Sequence, residues 1–551
     1  MPENVHQERR RVLAHLLANL EVDSKVVRVR WRLDVVQLEA GQPLCQLALS
    51  VAGAQTLQLD GGVSATDDAG TVPLVKSLAE DDAGDEVRMW SVGRKTSGPI
   101  EVSYLAEPVV ADPRPAIPPL ELRREGGGLS GALKSFLILP PGPDDLSFEL
   151  RWSRPVAGGG SADGWMAVSS LGEGDGDHGE LAGTGLELLG DTYVMCGDLT
   201  ERHHRDGQLS TWWLTSPGID VEAFSQRLGM TYRMMSEAFD APAHPYRVFL
   251  RTHPHRGAVA SAHPASFVMA MNPTDPLDEA SLYETIAHEL VHEWLHLDGP
   301  AEQVTWFVEG AADYYSFLLP LRAGILDEAA FLHAVNFEAR EGYASVRRHL
   351  ALHEAQRLFF SDFLAHRLPY VRGMFYLADL DARLTAATSG QHCVDDVVRA
   401  VVRRRRGGER FGIEQWCAQV QQVLPDDELT ILDALVFTGQ GRPRGDCFGS
   451  RFVMEMVQVP VLDTGFDFST WVTRRVQGLV PGGAADRAGI LEGETIDLPR
   501  YSEIVDMNIG DDLNIGVTRD GETARLTIPL TGETAPVPQW SKTPGTAKTA
   551  E

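Results

Sequence analysis

Residues His288 to Tyr315 read HELVHEWLHLDGPAEQVTWFVEGAADYY, with three histidines and six carboxylates in twenty-eight positions. These side chains bind divalent metals and move protons. His288 and His292 are four residues apart. On a helix they lie a turn apart on one face, so two imidazole nitrogens can converge on one ion. Glu289 follows the first histidine and can reach a water on that ion, the H-E-x-x-H arrangement of zinc hydrolases. Catalytic zinc needs a third protein ligand and keeps one position open. His296 suits that role poorly, because eight helical residues cover roughly 12 Å. It also misses the longer histidine pattern, in which a Gly stands where this chain has Leu295. Glu309 is the better third ligand. It lies on a second helical segment, VTWFVEGAADYYSFL, which can return antiparallel to the first. Asp313, one turn on, can accept a hydrogen bond from a ligating histidine and fix its tautomer. Glu302 reads as a first-turn helix charge and Glu293 as a solvated one.

Several elements must position these residues. DEASLYETIAHELVHEWLH reads as one helix, since Leu282, Ile286 and Leu290 recur every four residues, as do Ala287, Val291 and Leu295. Gly299 and Pro300 end it. Upstream, DVEAFSQRLGMTYRMMSEAF predicts a helix capped by Asp220, and YRVFLRT a short strand. Further helices run to about Val423. From Val26 to Leu150 the chain is strand-like, as in VVRVRWRLDVV, PIEVSYLAEPVV and LSFELRW. Before it, Val12, Leu13, Leu16, Leu17 and Leu20 fit one face of a short helix. Two Gly-rich stretches, VAGGGSADG and LGEGDGDHGELAG, read as loops, and the second lacks the ordered acids of a calcium loop. After Gly439 short strands and turns run to Leu530, followed by a flexible tail. The fold class is therefore multidomain α+β. An N-terminal all-β domain with a short leading helix spans 1–205, a mainly helical zinc domain 206–440, a β-rich domain 441–532 and the tail 533–551.

Bulk properties exclude some functions. The 551 residues carry 49 Lys and Arg against 78 Asp and Glu, a formal net charge of −29, which argues against nucleic acid and anionic membrane as partners. The basic run Arg403 to Arg406 ends a helical pattern that begins with acids, and compensates its dipole. Hydrophobic content is 43%, ordinary for a globular chain, and no apolar run is long enough to span a bilayer. The first twenty residues lack the apolar core of a secretory signal. Five scattered cysteines without a Cys-x-x-Cys suggest no disulfide framework, so a reducing, cytoplasmic setting is expected.

HELVHEW followed by WFVEGAADYY resembles the glycyl aminopeptidase family of zinc metallopeptidases, within the thermolysin-like gluzincin group. The resemblance implies an N-terminal β-domain, a thermolysin-like catalytic domain and a C-terminal PDZ domain, in that order. It implies one zinc per chain and a peptide or protein substrate. It also assigns a role to Tyr370 in PYVRG, matching a family tyrosine shortly before a Gly that stabilises the oxyanion. VQGLVPGGAADRAGILEGETI is similar to the family's PDZ stretch, although Gly483 and Ala484 replace a Ser-Pro and Glu494 an Asp. Upstream, Gly465 and Phe466 in TGFDFS match the loop that would bind a C-terminal peptide carboxylate and add the peptide as a strand.

The chain departs from these relatives in one respect. Family enzymes hold the substrate ammonium with a Glu upstream of the zinc helix. The matching region, HPHRGAVASAHPASFVMAMNP, has no Glu or Asp between His253 and Met271, and its histidines read as loop residues. The expected function is zinc-dependent peptide hydrolysis with altered specificity, including endopeptidase action. The alternative is a catalytically weak or inactive peptidase homologue acting as a PDZ-mediated binding or scaffold protein. The intact base Glu289 speaks against that.

Overall fold

The structure is a computed structural model. It describes residues 15–544 apart from 23–25, 35–36, 60–61, 81–85, 110–117, 142–145, 154–164, 175–177, 205–206, 276, 426, 520 and 530–532. The chain is mixed α+β, with a β-rich N-terminal region and a helical middle. It divides into two compact units: 1–218 with 245–253 and 259–273, and the remainder.

The first unit is built on sheets. A seven-stranded sheet has Val27–Asp34 near its centre, with Val27, Val29, Trp31 and Leu33 buried and Arg28, Arg30 and Arg32 exposed. This alternation is the period-2 signal of a strand with one wet face. His15–Val22 runs beside it, antiparallel to Val27–Asp34 and parallel to Ser147–Ser153. The helix expected around Leu16, Leu17 and Leu20 is therefore a strand. A short apolar run between two partners satisfies its backbone from both sides, and spacing alone does not separate that from a helix. Of the Gly-rich stretches, 156–164 lies outside the described residues. The second is not all loop, since His178–Thr184 pairs with Ser147–Ser153. Helix α1 (Leu186–Asp191) follows. A five-stranded sheet adds Tyr246–Thr252 parallel to Leu209–Trp213 and to Ser266–Met271, with Ala258–His263 at its edge.

The second unit carries the helices. Asp220 caps α2 (Val221–Ala238) by accepting from the Ala223 N–H at 3.0 Å. Asp278 caps α3 (Glu279–Val291) in the same way through Ser281, at 2.9 Å. Then follow α4 (Ala301–Arg322), α5 (Glu328–Tyr343), α6 (Leu352–Arg357), α7 (Phe363–Ala387) and α8 (Val394–Arg406). Arg403 to Arg406 occupy the last turn of α8, with Asp395 and Asp396 in its first. No helix among the described residues is long and apolar enough to cross a membrane.

The C-terminal part of this unit has its own core, including Trp471, Val476, Ile490, Ile496, Ile515 and Val517, around a three-stranded sheet. Gly465 takes the left-handed φ of 78°, and its N–H is bonded to Asp463 Oδ1 at 3.1 Å. Phe466 is buried in that core. The chain then enters a short helix, Ser469–Thr473. The loop expected to add a peptide as a strand thus has no strand directly after it to extend. The expected flexible tail, 533–551, contains a strand, and 545–551 lies outside the described residues. Thr534–Lys542 pairs antiparallel with Phe452–Pro460, and Trp540 is buried. Its Pro- and Thr-rich composition hid alternating buried residues, Ala535 and Val537.

Candidate metal centre

Two helices supply the candidate metal ligands. On α3, Leu282, Ile286, Ala287, Leu290 and Val291 are buried, which fixes the rotation of the helix and presents His288 and His292 together. The helix ends at Val291, with His292 as its cap residue in helical geometry, so the turn between the histidines survives. Glu293 and Trp294 then bond back three residues, to Leu290 and Val291. His296 therefore lies beyond the helix that the sequence extended through it. It contacts Arg405 of α8 instead, and burial together with that cation lowers its pKa to about 4. Glu293 is not a solvated charge, since it pairs with His244 at 2.9 Å and is largely covered.

On α4, Glu309 points at both histidines. His288 Nε2 and His292 Nε2 are 3.2 Å apart, and Glu309 Oε2 lies 3.4 Å from the first and 3.6 Å from the second. Ligands held tetrahedrally at about 2.0–2.1 Å from one zinc ion stand about 3.4 Å from each other. The triangle therefore has the size of one face of a zinc coordination sphere. It is the one such cluster of His, Cys, Asp or Glu among the described residues.

The surroundings fit a cation as well. Asp313, one turn beyond Glu309, has Oδ1 2.8 Å from His288 Nδ1. Nδ1–H donates there, so Nε2 is the ring nitrogen turned into the triangle. Burial works against charge on His288, yet its bonds to Asp313 and Glu309 raise it well above the usual imidazole range. Burial likewise opposes charge on Glu309, but the two imidazoles hold its carboxyl down to about 2. His292 is pushed down to about 4, mainly by burial, and so is a neutral donor near pH 7. These carboxylates favour positive charge at the triangle, and a divalent cation there would engage all three ligand atoms at once.

Glu289 stands beside the triangle with a different character. It is 7% exposed, and Oε2 has no hydrogen-bond partner in the protein. Burial pushes its carboxyl up to about 7. A buried, unpartnered carboxylate oxygen is costly, and occurs where a substrate group or water is to be bound.

Tyr370 comes from α7. Asp362 caps that helix by accepting from Leu364 N–H and Ala365 N–H. The Tyr370 ring stacks on His288, with centroids 5.7 Å apart and planes 12° apart. It thus reaches the triangle from outside the two ligand helices. The close approach of α7 to α4 depends on glycine. A Cβ on Gly310 would collide with the Gly373 backbone, and one on Gly373 with the Trp306 carbonyl.

Three features escaped the sequence reading. Arg367 of α7 donates to Glu338 and Glu341 of α5 and to Asp313 of α4. Glu338 and Glu341 look like ordinary helix-surface acids in FEAREGY; their one signal was an acid pair three residues apart. His263 is buried in a strand, with Nδ1 2.8 Å from the Asp191 carbonyl, and is not a loop histidine.

No family model and no curated protein matches the chain. Solved structures do. An aminopeptidase N family protein from Idiomarina loihiensis is similar over 96% of this chain and 98% of its own, with a TM-score of 0.67 at 15% identity. Native yeast LTA4 hydrolase is similar over 78% of this chain and 68% of its own, with a TM-score of 0.50 at 14% identity. At such identities the likeness is one of fold.

Proposed function

We propose that this chain is a zinc-dependent peptidase that hydrolyses peptide bonds, with His288, His292 and Glu309 as ligands of one zinc ion. The observation that carries the reading is the triangle of ligand atoms 3.2–3.6 Å apart with the free Glu289 oxygen beside it. The fold shared with an aminopeptidase N family protein supports it. Zinc, when bound, supplies Lewis acidity to the scissile carbonyl and makes water more acidic. Glu289 takes the proton from the attacking water and delivers it to the leaving amine nitrogen. Its buried carboxyl, with one oxygen left without a partner, is placed to take that proton. Tyr370 donates its phenolic hydrogen to the oxyanion that develops on the carbonyl. Asp313 keeps His288 in the tautomer that offers Nε2.

Substrate choice departs from that of an aminopeptidase. Such an enzyme must pair the substrate ammonium with a carboxylate. The stretch of sequence that matches the family's anchoring region, from His253 to Met271, has no Glu or Asp. The proposed substrates are peptides whose N-terminus is blocked or remote from the cleaved bond. A scaffold role is less well supported. The base is intact, the Gly465 N–H is engaged by Asp463, and no strand directly follows that loop. Five free cysteines fit a reducing compartment.

The deciding experiment compares hydrolysis of Gly- and Ala-anilides with that of N-acetylated peptides of matched length, at measured zinc content. Cleavage of the acetylated peptides at least as fast as of the anilides is expected. Efficient turnover that needs the free amine would show that another carboxylate anchors the substrate, and no hydrolysis by zinc-loaded protein would remove the peptidase reading.

A further inference from the structure

Arg367 lies where three helices meet, on α7 one turn before Tyr370. Its Nε donates to Glu341 Oε2 at 2.6 Å and its Nη2 to both oxygens of Glu338 at 2.8 Å. Nη2 also reaches Asp313 Oδ2 at 3.3 Å. Glu338 and Glu341 are 2% and 3% exposed. The face of the same guanidinium lies 4.4 Å from the Tyr370 ring centroid. One cation thus touches the carboxylate that orients His288 and the ring proposed to assist the oxyanion.

Two buried carboxylates are more than is needed to neutralise one arginine. Burying acids is costly unless they are paired and hydrogen-bonded, as both are here to Arg367. Here they fix the plane of the guanidinium. With Glu338 and Glu341 holding one edge, its remaining freedom is small, and it meets Asp313 and Tyr370 in a set orientation. Asp313 has its other oxygen, Oδ1, on His288. Without Arg367 that carboxylate could turn about its χ2 axis and leave the imidazole.

We propose that Arg367 is a positioning residue, held by Glu338 and Glu341, which fixes Asp313, and through it His288, and at the same time seats the Tyr370 ring. The reaction it serves is the one proposed above, and the inference rests on that reading for its catalytic consequence alone. Lysine cannot replace it. An ammonium keeps the charge but has neither the planar fork nor the flat face.

The test uses Arg367→Lys in the full-length protein. The first readout needs no metal. The His288 Nδ1 proton, bonded to Asp313, should give a downfield NMR signal that exchanges slowly with solvent, and in R367K its exchange should quicken by about tenfold or more. In the zinc form, release to a chelator should quicken about 10–100-fold, and kcat should fall by about tenfold with KM little changed. Asp313→Asn should abolish most of the R367K effect on zinc release when the two are combined, because both act on one contact. If R367K does not fold, Glu338→Gln, which keeps the side-chain volume and loosens the guanidinium, takes its place with the same expectations. A folded variant with wild-type proton exchange and zinc release overturns the proposal. So does full additivity with Asp313→Asn. If wild-type protein binds no zinc, the peptidase reading fails, while the proton readout still decides whether Arg367 fixes the His288 bond.

Discussion

At the scale of single residues, the proposed site separates groups that would hold a cation from a group that would move a proton. His292 belongs to the proposed ligand triangle, whereas His296 lies beyond α3 against Arg405. His292→Ala should therefore lose most bound zinc, and His296→Ala should keep about one per chain, as measured by elemental analysis. The opposite pattern would mean that the ligand set is wrong. Glu289 stands outside the triangle with one oxygen unpartnered. Glu289→Gln should keep the metal and lose hydrolysis by several orders of magnitude, since the amide cannot take a proton from water. Tyr370→Phe removes one donor to a developing charge, and its turnover should fall about a hundredfold with zinc retained. Near-normal turnover in either zinc-loaded variant would exclude the corresponding role.

At the scale of elements, the site depends on how closely two helices cross. Glu309 is on α4 and Tyr370 on α7, and their backbones meet at Gly310 and Gly373 with no room for a Cβ on either. The Gly in PYVRG and the Gly after Glu309 thus have a packing reason to be there. Gly373→Ala must push α7 away from the Trp306 carbonyl, which overpacking places at a cost of about 1–3 kcal/mol. Urea unfolding should show that loss. Zinc release to a chelator should also quicken, because Glu309 lies next to the displaced contact. A stability loss that leaves zinc release and turnover unchanged would show that the crossing does not set the site geometry.

At the scale of the whole molecule, the strand Thr534–Lys542 closes the second unit. Trp540 stacks on Phe375 of α7, with centroids 5.3 Å apart and planes 13° apart. Asn336 of α5 bonds the Trp540 backbone in both directions, at 2.9 and 2.8 Å. The C-terminal core also grips α5, where Arg340 donates to the Val505 and Met507 carbonyls. Residues near position 540 therefore support two helices that carry Glu338, Arg367 and Tyr370. Trp540→Ala should cost about 3–5 kcal/mol, read as a fall in the thermal midpoint. A midpoint unchanged within a degree or so would mean that this strand does not support the helices.

The sequence by itself determined the candidate metal site. The four-residue spacing of His288 and His292, the neighbouring Glu289 and the Glu309–Asp313 pair are local, and helix geometry converts local spacing into a shared face without help from the rest of the chain. The caps at Asp220 and Asp278 follow from the same short-range logic. Tertiary structure decided what depends on distant partners. His15–Val22 is a strand because two other strands flank it, and Thr534–Lys542 is ordered because Phe452–Pro460 pairs with it. Composition carries no record of such pairings. His296, already excluded as a ligand by its spacing, lies past the end of α3 at Val291, and Arg405, more than a hundred residues away in sequence, became its neighbour. The Arg367 cluster joins α4, α5 and α7, whose residues meet only when the helices pack. A buried carboxylate and a solvated one have the same letter in a sequence, and their different chemistry comes from the low-dielectric surroundings that folding builds around one of them.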